Sequence, residues 1–208
     1  MTRVSISGRP AEAHAYWRDP AGSLIGLFGA GYYAEVGEET DDRQWGFAAG
    51  AEAQAHVGMS TIYAQMGYLT FPEATADDAD FPLDTFFLRG AARHFFTENT
   101  KLEAQLGTAI GTFDGGETDF YLVDWAIEAE QAVGQAGVGL SLFARYEGIY
   151  AEEVDEDDNS LDTSVKFGLR ARFGGGGGES LLANDRNGVS LDLPDAGRWA
   201  GVLGGPVE

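Results

Sequence analysis

The run Lys166-Phe-Gly-Leu-Arg-Ala-Arg-Phe173 decides the fold, because it alternates between two kinds of side chain. In an extended strand successive side chains point to opposite faces, so one face carries lysine, glycine and arginine and the other carries apolar residues. Basic side chains on one face cannot lie in an ordinary apolar core, since buried charges must be paired. The basic face therefore points to water or to an enclosed polar interior.

Seven further runs show the same alternation, which makes eight candidate strands. Their length of about 12 residues exceeds the five or six that are usual in soluble sheets. It is enough for a tilted strand to cross a bilayer, which needs about 9–11 residues. The seven runs span residues 23–36, 44–56, 60–71, 85–96, 101–112, 118–133 and 138–150.

The connections between these runs alternate in character. Three are short, at residues 57–59, 97–100 and 134–137. Four are longer and hold 19 of the 34 acidic residues, at residues 37–43, 72–84, 114–119 and 152–162. Short turns at one end, longer polar loops at the other and an even strand count are typical of bacterial outer-membrane barrels. We therefore expect an all-β fold, an antiparallel up-and-down transmembrane β-barrel of eight strands, with ten strands as the alternative count.

Charged residues of both signs share the polar face of the predicted strands. A balanced set inside a narrow barrel can form ion pairs, which offsets the cost of desolvation. The net charge of −21 then lies mainly in the loops. The predicted charge network of the lumen is Glu52, Arg89, Arg93, Lys101, Glu103, Asp124, Glu128, Glu130, Arg145, Glu147, Lys166, Arg170 and Arg172.

Aromatic residues gather near the ends of the apolar face. Amphipathic rings prefer the headgroup level of a bilayer, so this placement is typical of interface girdles. The predicted interface aromatics are Trp45, Phe47, Tyr68, Phe86, Tyr121, Trp125 and Tyr150.

Over residues 22–173 the chain resembles the small eight-stranded outer-membrane barrels of Gram-negative bacteria, the OmpA-domain and OmpX type. The terminal run is similar to the signal by which such barrels are recognised for assembly, with Lys166, Gly168, Ala171 and Phe173 at its key positions. The resemblance implies an outer-membrane location and the barrel-assembly machinery as a partner. The chain departs from the class because residues 174–208 follow the signal.

The two ends lie outside the predicted barrel. Residues 1–21 form an N-terminal arm, either a short strand or a segment folded against the barrel mouth. Residues 174–178 are five glycines, which form a flexible linker. The tail beyond them is expected on the periplasmic side, as a segment that binds a periplasmic partner or as a loosely ordered one. The start shows no signal peptide, so we expect a mature form.

Catalytic and metal-binding patterns are weak. The histidines His14, His56 and His94 lie in the arm or at the turn side of the strands, away from the outer rim, so we expect no enzyme and no cofactor. Asp155, Asp157 and Asn159 resemble the start of a calcium loop, but the glycine and the final glutamate of that loop are missing. The acidic balance excludes nucleic acid as a partner, and the chain has no cysteine for disulfides.

Function follows from the predicted location. We expect a non-catalytic outer-membrane barrel with a structural or surface-interaction role. Its acidic loops would meet membrane lipid and lipopolysaccharide, with divalent cations bridging the like charges. One alternative is a narrow porin-like diffusion channel, although eight strands leave an interior that side chains largely fill. A second alternative is a soluble lipocalin-like barrel, in which the apolar face would line a ligand cavity.

Overall fold

The computed structural model places most of the chain in one antiparallel sheet. It describes residues 4–5, 11–19, 22–36, 43–72, 83–113, 118–133, 139–154, 158–172, 180–187 and 193–203. The strands are β1 (Val4–Ser5), β2 (Ala11–Asp19), β3 (Ser23–Val36), β4 (Arg43–Val57), β5 (Ser60–Phe71), β6 (Leu83–Thr97), β7 (Thr100–Phe113), β8 (Thr118–Ala132), β9 (Gly139–Glu153) and β10 (Asp158–Arg172). The helices in these ranges are α1 (Leu181–Asn187) and α2 (Ala196–Leu203).

The sheet has up-and-down topology, since each strand from β3 to β10 pairs with the next along the chain. β1 and β2 both pair with β3, at its two halves, and together they form one edge. The sheet therefore has nine strand positions, not the eight expected. The predicted strands are present as β3 to β10, and the additional edge comes from the N-terminal arm. Among the described residues, no ladder joins β10 to β1 or β2.

β2 has the period of two of the other strands only in a weak form, because alanine occupies most of its outer positions. Glu12, His14 and Arg18 alternate with small or apolar residues, and the chain reverses through a bond from the Gly22 amide to the Asp19 carbonyl at 3.0 Å. The reversal brings Asp19 opposite Ser23, which sets the register of the whole β2–β3 ladder.

The two ends of the sheet differ in their connections. Two-residue turns join β4 to β5 at Gly58–Met59 and β6 to β7 at Glu98–Asn99, and we call this the turn end. Gly58 has a φ of 58°, which a residue without a Cβ adopts at no steric cost. The opposite end, where β3 meets β4 and β5 meets β6, is called the loop end.

Burial alternates along the strands with the sequence pattern. The face that carries the charged residues is buried, and we call it the inner face; Glu130, for example, has a side chain that is 0 % exposed. The other, outer face exposes large apolar side chains, such as Trp45 at 60 % and Phe167 at 76 %. This is the reverse of the arrangement in a water-soluble β-sheet protein, where the apolar face is the buried one.

The loop-end half of the inner face is apolar and packs against α2. Trp199 is 2 % exposed, and its ring lies 5.8 Å from the ring of Phe87. The Tyr32 hydroxyl donates to the Pro194 carbonyl at 3.3 Å, just before the helix. The buried cluster includes Phe28, Tyr32, Leu69, Phe71, Leu83, Phe87, Phe120, Leu122, Ile149, Trp199, Val202 and Leu203.

The described part of the C-terminal tail thus lies on the inner face. Ser180 and Asp195 cap the two helices, since their side chains accept from the Ala183 amide at 3.2 Å and the Arg198 amide at 3.2 Å. α1 lies at the turn end, where the Leu182 amide donates to the Glu98 carbonyl at 3.0 Å. α2 contacts β1 at one edge of the sheet and β9 and β10 at the other, so the sheet curves around it.

The close contact between the backbones of β6 and β7 gives a test of how these two strands pack. A Cβ on Gly111 would lie 2.7 Å from the backbone Cα of Thr85, which cannot move aside, whereas a Cβ on Gly31 would meet nothing within 4 Å. Gly111→Ala should lower the free energy of unfolding by about 1–3 kcal/mol, and Gly31→Ala by less than about 0.5 kcal/mol or not at all. Urea titration followed by tryptophan fluorescence measures both. Equal effects of the two substitutions would contradict the packing.

Candidate functional site: a charged cavity on the inner face

In the turn-end half of the inner face, the strand register places charged residues of neighbouring strands opposite each other. Arg93 on β6 faces Glu103 on β7, which faces Glu128 on β8. Glu128 in turn faces Arg145 on β9, which faces Lys166 on β10. Residues in register on adjacent strands have Cβ atoms about 4.5–5.5 Å apart. Two of these facing pairs are therefore ion pairs, Arg93–Glu103 at 2.9 Å and Arg145–Glu128 at 3.7 Å. The like-charged neighbours Glu103 and Glu128 share Lys101, which lies 2.9 and 3.6 Å from them.

Glu130 on β8 has four partners in this network. Its carboxylate accepts from Arg170 Nη1 at 2.8 Å and from Arg172 Nη2 at 2.5 Å. Lys101 Nζ lies 3.2 Å away, and Ser141 Oγ donates at 2.5 Å. Four donors surround a carboxylate that has no contact with solvent. Charge-assisted bonds of this number offset the desolvation of one buried charge.

The other carboxylates of the strands are held in the same way. Glu103 accepts from Arg93 Nε at 2.9 Å and from Lys101 Nζ at 2.9 Å. Glu128 accepts from Arg170 Nη1 at 2.9 Å. Glu147 accepts from Arg145 Nε at 2.5 Å, and Lys166 also pairs with it. Each of these three carboxylates, like Glu130, therefore has at least one lysine or arginine partner.

The C-terminal tail completes this network with residues that the sequence did not single out. Asp185 of α1 accepts from Arg93 Nη1 at 3.0 Å and from Thr61 Oγ1 at 2.6 Å. Arg198 of α2 lies 3.2 Å from Glu147 and donates to Asp162 at 2.8 Å. Sequence reasoning missed both because a single charged residue in a polar tail is ordinarily exposed.

A cavity of about 610 Å³ lies between β6–β10 and the tail. Eleven of the 13 residues of the predicted lumen network line it. The cations at the cavity are Arg89, Arg93, Lys101, Arg145, Lys166, Arg170 and Arg172. The acids are Glu103, Glu128, Glu130, Glu147, Asp185 and Asp195.

The two remaining network residues lie elsewhere on the inner face. Glu52 accepts from the Tyr63 hydroxyl at 3.0 Å and pairs with His14 Nδ1 at 3.0 Å, on the side of the sheet near β2. Asp124 lies beside Gly107, and its buried Oδ2 has no hydrogen-bond partner among the residues that the structure describes. These two carboxylates therefore do not belong to the ion-paired group.

The predicted assembly signal lies on the edge strand β10, except Phe173, which is outside the described residues. Ala171 is exposed, and Lys166 and Gly168 face inward. A Cβ on Gly168 would lie 2.7 Å from the Phe143 ring, so a side chain at this position would require that ring to move.

The predicted interface aromatics all lie on the outer face. Trp45, Phe47, Tyr68 and Phe86 are exposed, and Tyr121, Trp125 and Tyr150 are partly exposed. The hydroxyls of Tyr121 and Tyr150 both donate to Glu152, at 2.5 and 2.6 Å. Tyr68 likewise donates to Asp84 at 2.6 Å. Their polar ends are thus held near the loop end of the sheet.

Comparison with known proteins gives no relative. No protein-family model matches the chain, and neither does any curated protein or solved structure.

Metal binding has no support in the part of the chain that the structure describes. Asp155 and Asp157 of the calcium-loop candidate lie outside it, and Asn159 is exposed near the start of β10. Over the described ranges no three histidine or acidic residues are grouped so that they could hold a metal ion. The helices in those ranges are also too short or too polar to span a membrane.

The ion-paired network predicts a strong effect at Glu130. Glu130→Gln keeps the shape but leaves Lys101, Arg170 and Arg172 without their shared carboxylate, and we expect it to lower the free energy of unfolding by about 3–5 kcal/mol. Glu98→Gln, at an exposed turn position, is the matched control and should change it by less than about 0.5 kcal/mol. Urea titration measures both, and similar small effects would show that the network does not hold the fold.

Proposed function

We propose that this chain is an integral outer-membrane β-barrel without a catalytic role, in which the outer face meets lipid and the inner face is enclosed. The observation that carries the proposal is the exposure of the outer face. Soluble monomers rarely expose continuous apolar patches larger than a few hundred Å². A bilayer removes this apolar surface from water, so the same sheet becomes favourable there.

The height of the uncharged band supports this proposal. On β4 the outer positions from Trp45 to Val57 carry no charge, and on β8 neither do those from Tyr121 to Val133. Both stretches are longer than the 9–11 residues that a tilted strand needs to cross the hydrocarbon core. The charged side chains of the described outer face lie near its ends, at Asp19, Asp84, Asp119 and Glu152.

Side-chain burial also argues against the soluble alternative. A lipocalin-like barrel would enclose its apolar face around a ligand and leave its charged face in water. In this sheet Trp45 and Phe167 are exposed, while Glu103 and Glu130 are buried. In a soluble protein both features would lower the free energy of unfolding, because apolar side chains would be exposed to water and charged ones would lose their hydration.

The contents of the inner face favour a structural or surface-interaction role over a diffusion pore. α2 packs into the loop-end half through Trp199, and α1 binds the turn-end half through Asp185. Solute passage would require these helices to move. The acidic loops would then meet lipopolysaccharide through divalent cations, since acids beside phosphates otherwise repel each other.

Two tryptophans on opposite faces provide the test. We would make one variant that keeps only Trp45 and another that keeps only Trp199, with the other tryptophans replaced by phenylalanine, and place each in vesicles of brominated phosphatidylcholine. Trp45, 60 % exposed on the outer face, should be strongly quenched by the bromine atoms; Trp199, 2 % exposed inside, should not.

Migration on gels without boiling would confirm that both variants are folded. Acrylamide dissolved in the water phase should quench Trp45 strongly only if Trp45 faces water. Strong quenching of Trp45 by acrylamide together with none by the brominated lipid would contradict the membrane proposal.

A further inference from the structure

The basic residues of this acidic protein are concentrated in one place. The chain has 13 lysines and arginines and a net charge of −21. Seven of those basic residues line the cavity between β6–β10 and the tail. A cavity of about 610 Å³ is within the range of small-molecule binding sites, about 300–1,000 Å³.

Charges at this cavity are layered, with the acids behind and the bases in front. The side chains of Glu103, Glu128 and Glu130 are at most 4 % exposed. Lys166 and Arg170 on β10 are 52 % and 36 % exposed. A solute that enters the cavity therefore contacts cations before carboxylates. Asp195, at the tail side, is the exposed acid of the lining.

Ion pairing within the network does not account for every cation. Arg93, Lys101 and Arg172 each bind a buried carboxylate. Arg89 instead donates from Nη1 to the neutral amide oxygen of Gln65 at 3.2 Å. In the described ranges no carboxylate lies within ion-pair distance of Arg89. A partly buried guanidinium that acts on a carboxylate, Asp124, only from beyond ion-pair distance keeps its donors available as favourable contacts for an anionic ligand.

The lining also offers apolar contacts beside its cations. The guanidinium of Arg170 stacks over the Phe143 ring, 4.8 Å from the centroid. Leu193 and Pro194 of the tail line the same cavity. An inorganic ion would use none of this surface, whereas an organic anion with a carbon skeleton would use both kinds of contact.

We propose that this cavity binds a small organic anion, a carboxylate or a phosphate ester, with Arg89, Lys166 and Arg170 as its cationic contacts. Phe143 and the tail residues contact the carbon part of the ligand. The proposal does not depend on the membrane location, since the cavity belongs to the folded chain in lipid, in detergent or in water.

Calorimetric titration of the folded full chain with citrate tests the proposal. We expect saturable binding of one citrate per chain that weakens as sodium chloride is added, because salt screens the attraction. Glucose, a neutral polar solute of similar size, should give no binding. Glucose 6-phosphate, a phosphate ester with the same carbon skeleton as the neutral control, is the second anionic probe. Absence of binding by both anions at low ionic strength, or equal binding of glucose, would overturn the proposal.

Matched variants locate the site. Arg89→Gln should weaken citrate binding on the order of tenfold, because it removes one charged contact. Arg186→Gln is the matched control, because it also removes one positive charge. Arg186 donates to the Gly58 carbonyl at the turn and does not line the cavity. The citrate affinity of this variant should therefore stay within about twofold of that of the parent chain. Lys166→Gln tests the exposed side of the cavity independently. Unchanged affinity in both cavity variants, or equal losses in the Arg186 variant, would overturn the assignment.

Discussion

The pairing of buried carboxylates is the constraint on which the rest of the structure depends. Glu130 has no exposed surface, and it accepts from Lys101 on β7 and from Arg170 and Arg172 on β10. Lys101 lies directly opposite Glu130 on the neighbouring strand, whereas the two arginines reach it across β9 from two strands away, about 9–10 Å in a flat sheet. Curvature of the sheet toward its charged face shortens that distance and favours the shared carboxylate. The apolar residues are then left on the outside, where water is an unfavourable solvent for them.

The inner face divides into two halves that the tail joins. Near the turn end α1 adds Asp185 to the ion pairs of Arg93, and toward the loop end α2 adds Trp199 to the apolar cluster. The charged residue of the tail thus lies beside the ion pairs of the sheet, and its apolar residues pack against the apolar half of the inner face. α2 also contacts both edges of the sheet, at β1 and at β10, and so spans the region where no ladder is present among the described residues.

Much of the sheet could be predicted from the sequence, because a period of two fixes both the strand and its buried face. The strand count was wrong because β2 consists largely of alanine and polar residues, such as Ala13 and His14, whose alternation is weak. The tail helices were missed for another reason: they are stabilised by contacts with distant strands, and the seven or eight residues of each carry little signal of their own. Which residues pair within the network, such as Arg170 with Glu130, depends on the curvature of the sheet. The alternation of residues along a strand and the spacing of the strands in the sequence do not give that curvature.

Gel migration of the protein taken from washed membranes, unboiled against boiled in detergent, would show whether the chain is an integral membrane barrel. A sheet with a paired, charged interior and an apolar exterior should stay folded in detergent at room temperature. We therefore expect the protein to sediment with the membranes and to change its migration on boiling. Recovery of the chain in the soluble fraction, as a monomer whose migration does not change on boiling, would contradict the membrane proposal.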